Sequence, residues 1–122
     1  MKFLLVAIGG AAGSLLRFIA ATAIMNRYAG AFPLGTFLIN VTGSFIIGFL
    51  LTVIETRAGL SPHWKPLLII GFLGGYTTFS SFEWETLSLV RQDAFWVAVG
   101  YLMASVFCGF TAVWLGALLA RR

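Results

Sequence analysis

Hydrophobic positions along the chain fall into four long blocks, at about residues 3–25, 34–55, 66–90 and 94–120. Each is long enough to supply the roughly 20 apolar residues a helix needs to cross a hydrocarbon core. The links between them are short and polar. "NRYAGAFP" carries Asn, Gly and Pro breakers, "TRAGLSPHWK" adds charge, and "RQD" is a tight turn. Pro66 suits the first turn of the third block, where its missing N–H costs nothing. Trp64, Trp84, Trp96 and Tyr28 fall near block ends, where interfacial aromatics belong. The pattern predicts an all-α membrane protein: one domain over residues 1–122, four transmembrane helices, both termini on one side. The opening "MKFLLVAIGGAAG" has the make-up of a signal peptide, but apolar character resumes after Arg17 in "FIAATAI", so a first span is expected.

Composition strengthens this reading. Of the 122 residues 60% are hydrophobic and 10% charged, against about 25% charged in soluble domains, and the mean hydropathy is +0.98. Cys108 is the lone cysteine and His63 the lone histidine, beside Pro62, so neither a disulfide nor a His-based metal or catalytic site is expected. No nucleophile–base pair is visible, which argues against an enzyme. The net charge of +4 sits mostly at block ends and suits anionic lipid headgroups rather than nucleic acid. Lys2, Arg57, Lys65, Arg121 and Arg122 lie on the side of the termini, and Arg27 and Arg91 on the other. The loop bias alone is even, and a bias that weak permits insertion in both orientations.

Every block also carries polar residues that a lipid-facing helix avoids. Gly9, Gly13 and Arg17 recur every four residues and share a face. The glycines read as a packing seam. Arg17, costly within a span, is expected either to cap backbone carbonyls or to attract anions. Thr36, Asn40 and Ser44 form a stripe on the second block, and Tyr101, Ser105 and Gly109 one on the fourth. One stripe alone reads as hydrogen-bonding glue; two suggest a narrow polar path. In the third block, "GFLGGYTTFSSFEWE" sets Gly74-Gly75 before β-branched Thr77-Thr78, a combination of poor helix formers that predicts an unwound turn near mid-membrane. Such backbone survives at membrane depth when buried or lining a cavity, and its free carbonyls are natural cation ligands. Phe79 and Phe82 follow at i, i+3. Aromatic rings have positive edges, so two edge-on rings can attract an anion.

The chain resembles the small fluoride channels of the Fluc/CrcB family along essentially its full length. The resemblance rests on "GGAAGSLLRF", "GTFLINVTGSFIIGFL" and, most specifically, "GFLGGYTTFSSFEWE". It implies an antiparallel, dual-topology homodimer in the bacterial inner membrane that passively exports fluoride from the cytoplasm through two pores and so relieves fluoride toxicity. It implies pore residues Asn40, Phe79 and Phe82, and a polar track of Thr36, Ser81, Tyr101 and Ser105. It further implies vestibule positions at Arg17 and Glu85, and a central structural sodium ion held by backbone carbonyls of Gly74 and Thr77 from both subunits. Where the family pattern would carry a further hydroxyl one turn beyond Ser105, this chain has Gly109. Two other readings compete. A small dual-topology multidrug or cation exporter would want an acidic residue in the middle of a span, and none occurs. A non-transporting membrane assembly subunit would use the polar stripes for packing alone.

Overall fold

The computed structural model describes all 122 residues and is helical throughout. Three helices are long and apolar enough to cross a membrane: α1 (Lys2–Met25), α2 (Leu34–Thr56) and α5 (Phe95–Ala120). The chain is therefore a multi-pass membrane protein. The remaining apolar block is a bent helix in two pieces. Its first piece, α3, is a π-wound stretch (Lys65–Leu73) ending in a single α turn (Gly74–Tyr76), and its second piece is α4 (Phe79–Arg91). Pro66 stands at the start of α3, as its missing N–H demands. The π winding, with i→i+5 bonds in place of i→i+4, has no counterpart in the hydrophobic pattern. "RQD" closes α4 onto α5, with Asp93 in the left-handed region at φ 58°.

Two glycine seams hold the helices together. α2 crosses α5 where Gly48 meets the Val113 carbonyl and Gly116 meets the Phe45 carbonyl, and a methyl group at either glycine would strike backbone. α1 crosses α3 in the same manner: Gly9 lies on the Leu67 carbonyl and Gly13 on the Phe72 carbonyl. The Gly9/Gly13 face is thus a packing seam, as expected from its spacing. Backbones this close maximise dispersion contact, the term that drives helix association where lipid removes the hydrophobic one.

Only 19 of 122 residues are buried, so most apolar surface is left to lipid or to another chain. The tightest core lies at one end, where Phe82, Leu89, Ala98 and Tyr101 cluster between α4 and α5 with Phe32 and Phe37 against them. Tyr101 is 0% exposed and meets the rings of Phe82 and Phe32 edge-on, at centroid distances of 5.1 and 5.2 Å.

Candidate functional site

The chain unwinds at Thr77 and Thr78, both extended (φ −80°, ψ 157° and φ −150°, ψ 121°). The break falls within the segment expected to unwind, at its threonines rather than its glycines. Gly74 and Gly75 are the weakest helix formers in the segment, yet both stay helical. Gly75 is held there by contact: a Cβ would meet the Gly10 carbonyl at 2.6 Å and Ser14 at 3.0 Å. Packing against α1 overrides propensity and moves the break two residues on, to the β-branched pair.

Asn40 governs the break. Its Oδ1 accepts from the Thr78 N–H at 2.8 Å, and its Nδ2 donates to the Thr78 carbonyl at 3.0 Å. One side-chain amide thus satisfies both backbone groups of the residue that leaves the helix. A continuous helix would have sent that N–H to the Gly74 carbonyl, which is left without its helical donor on an exposed residue. The Thr77 carbonyl accepts one long bond, 3.4 Å, from Nη1 of Arg17. Arg17 therefore lies at the break as a carbonyl donor and lines neither of the two cavities described below. Thr78 also starts α4. Its Oγ1 accepts from the Ser81 N–H at 3.2 Å and donates to Ser81 Oγ at 3.0 Å. Ser81 is occupied by this cap and does not reach the cavity wall.

Beside the break lies a cavity of about 330 Å³, lined by Asn40, Ser44, Thr78, Phe79, Phe82 and Ser105 among others. The rings of Phe79 and Phe82 are 5.9 Å apart and tilted by 52°. They are unequal: Phe82 is 7% exposed and Phe79 is 73% exposed. An amide nitrogen carries two hydrogens, and Asn40 gives only one to Thr78. Ser105 Oγ is buried and has no partner. The cavity therefore combines free N–H and O–H donors with aromatic rings and contains no carboxylate, a set of groups that suits an anion.

The other predicted residues gather elsewhere. Thr36 Oγ1 and the Tyr101 hydroxyl each donate to Glu85 at 2.7 Å, one to each carboxylate oxygen. Glu85 faces a second cavity of about 330 Å³, lined also by Thr22, Met25, Asn26 and Thr36. The stripe of Thr36, Asn40 and Ser44 is thus divided, its first member bonded to Glu85 and the other two lining the first cavity.

Sequence reasoning passed over Thr78, although a Thr directly before "FSSFEWE" is the ordinary signal for a helix N-cap. It passed over the Thr36–Glu85–Tyr101 cluster too. Those residues are 49 and 16 positions apart, and no local pattern joins them.

A family model described as "CrcB-like protein, Camphor Resistance (CrcB)" matches residues 4–117. The chain belongs to the CrcB family. A relative from Solibacter usitatus (strain Ellin6076), named "Fluoride-specific ion channel FluC", is 52% identical over 122 residues, covering 100% of each chain. One of the same name from Acidobacterium capsulatum is 47% identical over 122 residues, 100% of this CrcB chain and 98% of its own. Another, from Rhizobium meliloti (strain 1021), is 44% identical over 118 residues, 97% of this chain and 94% of its own. The three quoted motifs all fall inside the matched region of this CrcB chain.

Proposed function

We propose that this CrcB chain is a fluoride-selective channel and not an enzyme, letting fluoride leave the cytoplasm of a bacterium passively across its inner membrane. The observation that carries the proposal is the donor-lined cavity at the helix break. Fluoride is small and strongly hydrated, so a path must replace its water with N–H and O–H donors and positive ring edges. The second Asn40 hydrogen, Ser105 Oγ and the edges of Phe79 and Phe82 are such groups. Several modest sites in series, rather than one deep one, let the ion enter and also leave. The names carried by full-length relatives support the same ion.

In this proposal α3 and α4 together make a fourth crossing of a single domain, and two copies associate antiparallel to form two pores. One wall of the cavity is Phe79, largely exposed in the single chain, so a second chain completes the enclosure. Thr36 lines the approach from the Glu85 vestibule and Tyr101 is buried behind that carboxylate; either hydroxyl meets a passing anion only by leaving Glu85. Ser81 holds the start of α4 through Thr78. Arg17 holds the Thr77 carbonyl and adds positive charge near the break.

The carbonyls of Gly74 and Thr77 are oxygen donors of the kind a hard cation takes. One chain offers two, and a two-fold related copy would double them around a structural sodium ion. When bound, that ion supplies a fixed positive charge at the centre of the dimer.

Resistance is the direct biological test. Expression of the chain in a bacterium stripped of its own fluoride export should restore growth in fluoride that arrests the stripped strain. A chain that reaches the membrane folded and leaves the cells as sensitive as before would contradict the proposal.

A further inference from the structure

Hydroxyls inside apolar helices usually turn back to the carbonyl one turn earlier, which removes the cost of an unpaired donor. Thr42, Thr52, Thr56, Thr86 and Ser88 all do so, at 2.7 to 2.8 Å. Ser44 and Ser105 do not, although both lie mid-helix. They sit on different helices, α2 and α5, and line the same cavity. Ser105 lines this cavity, and its Oγ is fully buried without any partner. Ser44 is the nearest neighbour of the space beside Gly109, one turn beyond Ser105: a Cβ at Gly109 would meet only Ser44 Oγ, at 3.7 Å.

We propose that Ser44 is a fluoride-contacting residue, and that with Ser105 it forms a second anion subsite in the cavity, beyond the one at Asn40 and the phenylalanine pair. The inference rests on the channel reading and deepens it. The two hydroxyls come from helices whose crossing is fixed by close backbone contact at Gly48 and Gly116. Gly109 has no side chain, and the space beside it opens onto the Ser44 hydroxyl. Ile47 and Val106 complete the wall with apolar surface and offer an ion no competing charge.

The test is fluoride efflux from liposomes carrying wild type, Ser44→Ala, or the double variant Ser44→Ala/Gly109→Ser, with melting temperature and dimer content measured for each. Ser44→Ala should lower fluoride efflux roughly tenfold, the effect of one lost donor, with melting temperature and dimer content unchanged. Gly109→Ser places a new hydroxyl in the same space and should restore most of the rate in the double variant. A merely structural serine would lower stability, and a distant hydroxyl would not repair that. Wild-type efflux from Ser44→Ala would overturn the subsite, as would a loss that Gly109→Ser leaves unrepaired. A silent wild type would overturn the channel reading and the subsite with it; a conducting wild type beside an equally fast Ser44→Ala would remove the subsite alone.

Discussion

The chain holds two polar clusters, and they differ in what their hydrogen-bond donors do. At the Glu85 cluster, Thr36 and Tyr101 each give a hydroxyl proton to the carboxylate. At the helix break, Ser105 gives its proton to nothing and Asn40 keeps one N–H in reserve. A cluster whose donors are engaged holds helices together: Glu85 ties α4 to α2 and to α5 at once. A cluster whose donors are free is suited to a ligand, because an orphan donor in an apolar setting is costly until something accepts from it. Asn40 belongs to both kinds, latching Thr78 with two bonds while its remaining N–H has no partner and the residue lines the cavity.

Removing Asn40 should therefore break both functions and produce the largest effect. Asn40→Ala leaves the Thr78 N–H and carbonyl unpaired, a loss of about 3 kcal/mol, and takes away one donor to the ion. Fluoride efflux should vanish, and the melting temperature in detergent should fall with it. An Asn40→Ala chain as stable as wild type would show that the break does not depend on the latch.

The two phenylalanines sharpen the contrast. Phe82→Ile should lose conduction and about 1 kcal/mol of stability, because the buried ring also meets Tyr101 edge-on. Phe79→Ile should lose conduction while a single folded chain barely notices, since that ring is mostly exposed. Paired thermal melts and efflux traces would separate the two. Equal destabilisation by both would mean that Phe79 is packing, as an assembly subunit would have it.

Tyr101→Phe tests the engaged cluster. It removes one bond to Glu85, worth about 1 kcal/mol, and should lower fluoride efflux by less than Phe79→Ile does. If it abolished conduction with stability intact, the division into scaffold and path would be wrong. The smallest effect is expected at Arg17. Arg17→Gln loses one long bond to the Thr77 carbonyl, so the melting temperature should drop by only a degree or two (about 0.5 kcal/mol). A collapse of the dimer on this change would assign Arg17 a larger part at the break.

Much of this arrangement was legible in the sequence, for reasons that differ by region. Long apolar blocks fix where spans lie, since only helices satisfy their own backbone in lipid; the spacing of Gly9 and Gly13 marked a seam because i, i+4 residues share a face. A break in the third block was legible from its glycines and threonines and falls at the threonines, but that the glycines stay helical was not legible. Gly75 stays helical through contact with Gly10 and Ser14, residues 60 or more positions away, and propensity has no knowledge of such contacts. The π winding of Lys65–Leu73 was hidden for a similar reason, as was the engagement of Thr36 and Tyr101 by Glu85. Hydrogen bonding across helices leaves no periodic trace.

If the free donors at the break pass fluoride, this chain on its own must conduct it. The most direct measurement is ion efflux from liposomes containing only this purified chain, with fluoride and chloride electrodes run in parallel. Rapid, voltage-driven loss of fluoride with chloride retained is expected, from a chain that needs no second protein. A verified folded dimer that released neither ion, or released both alike, would contradict it and leave Asn40, Phe79 and Phe82 as packing.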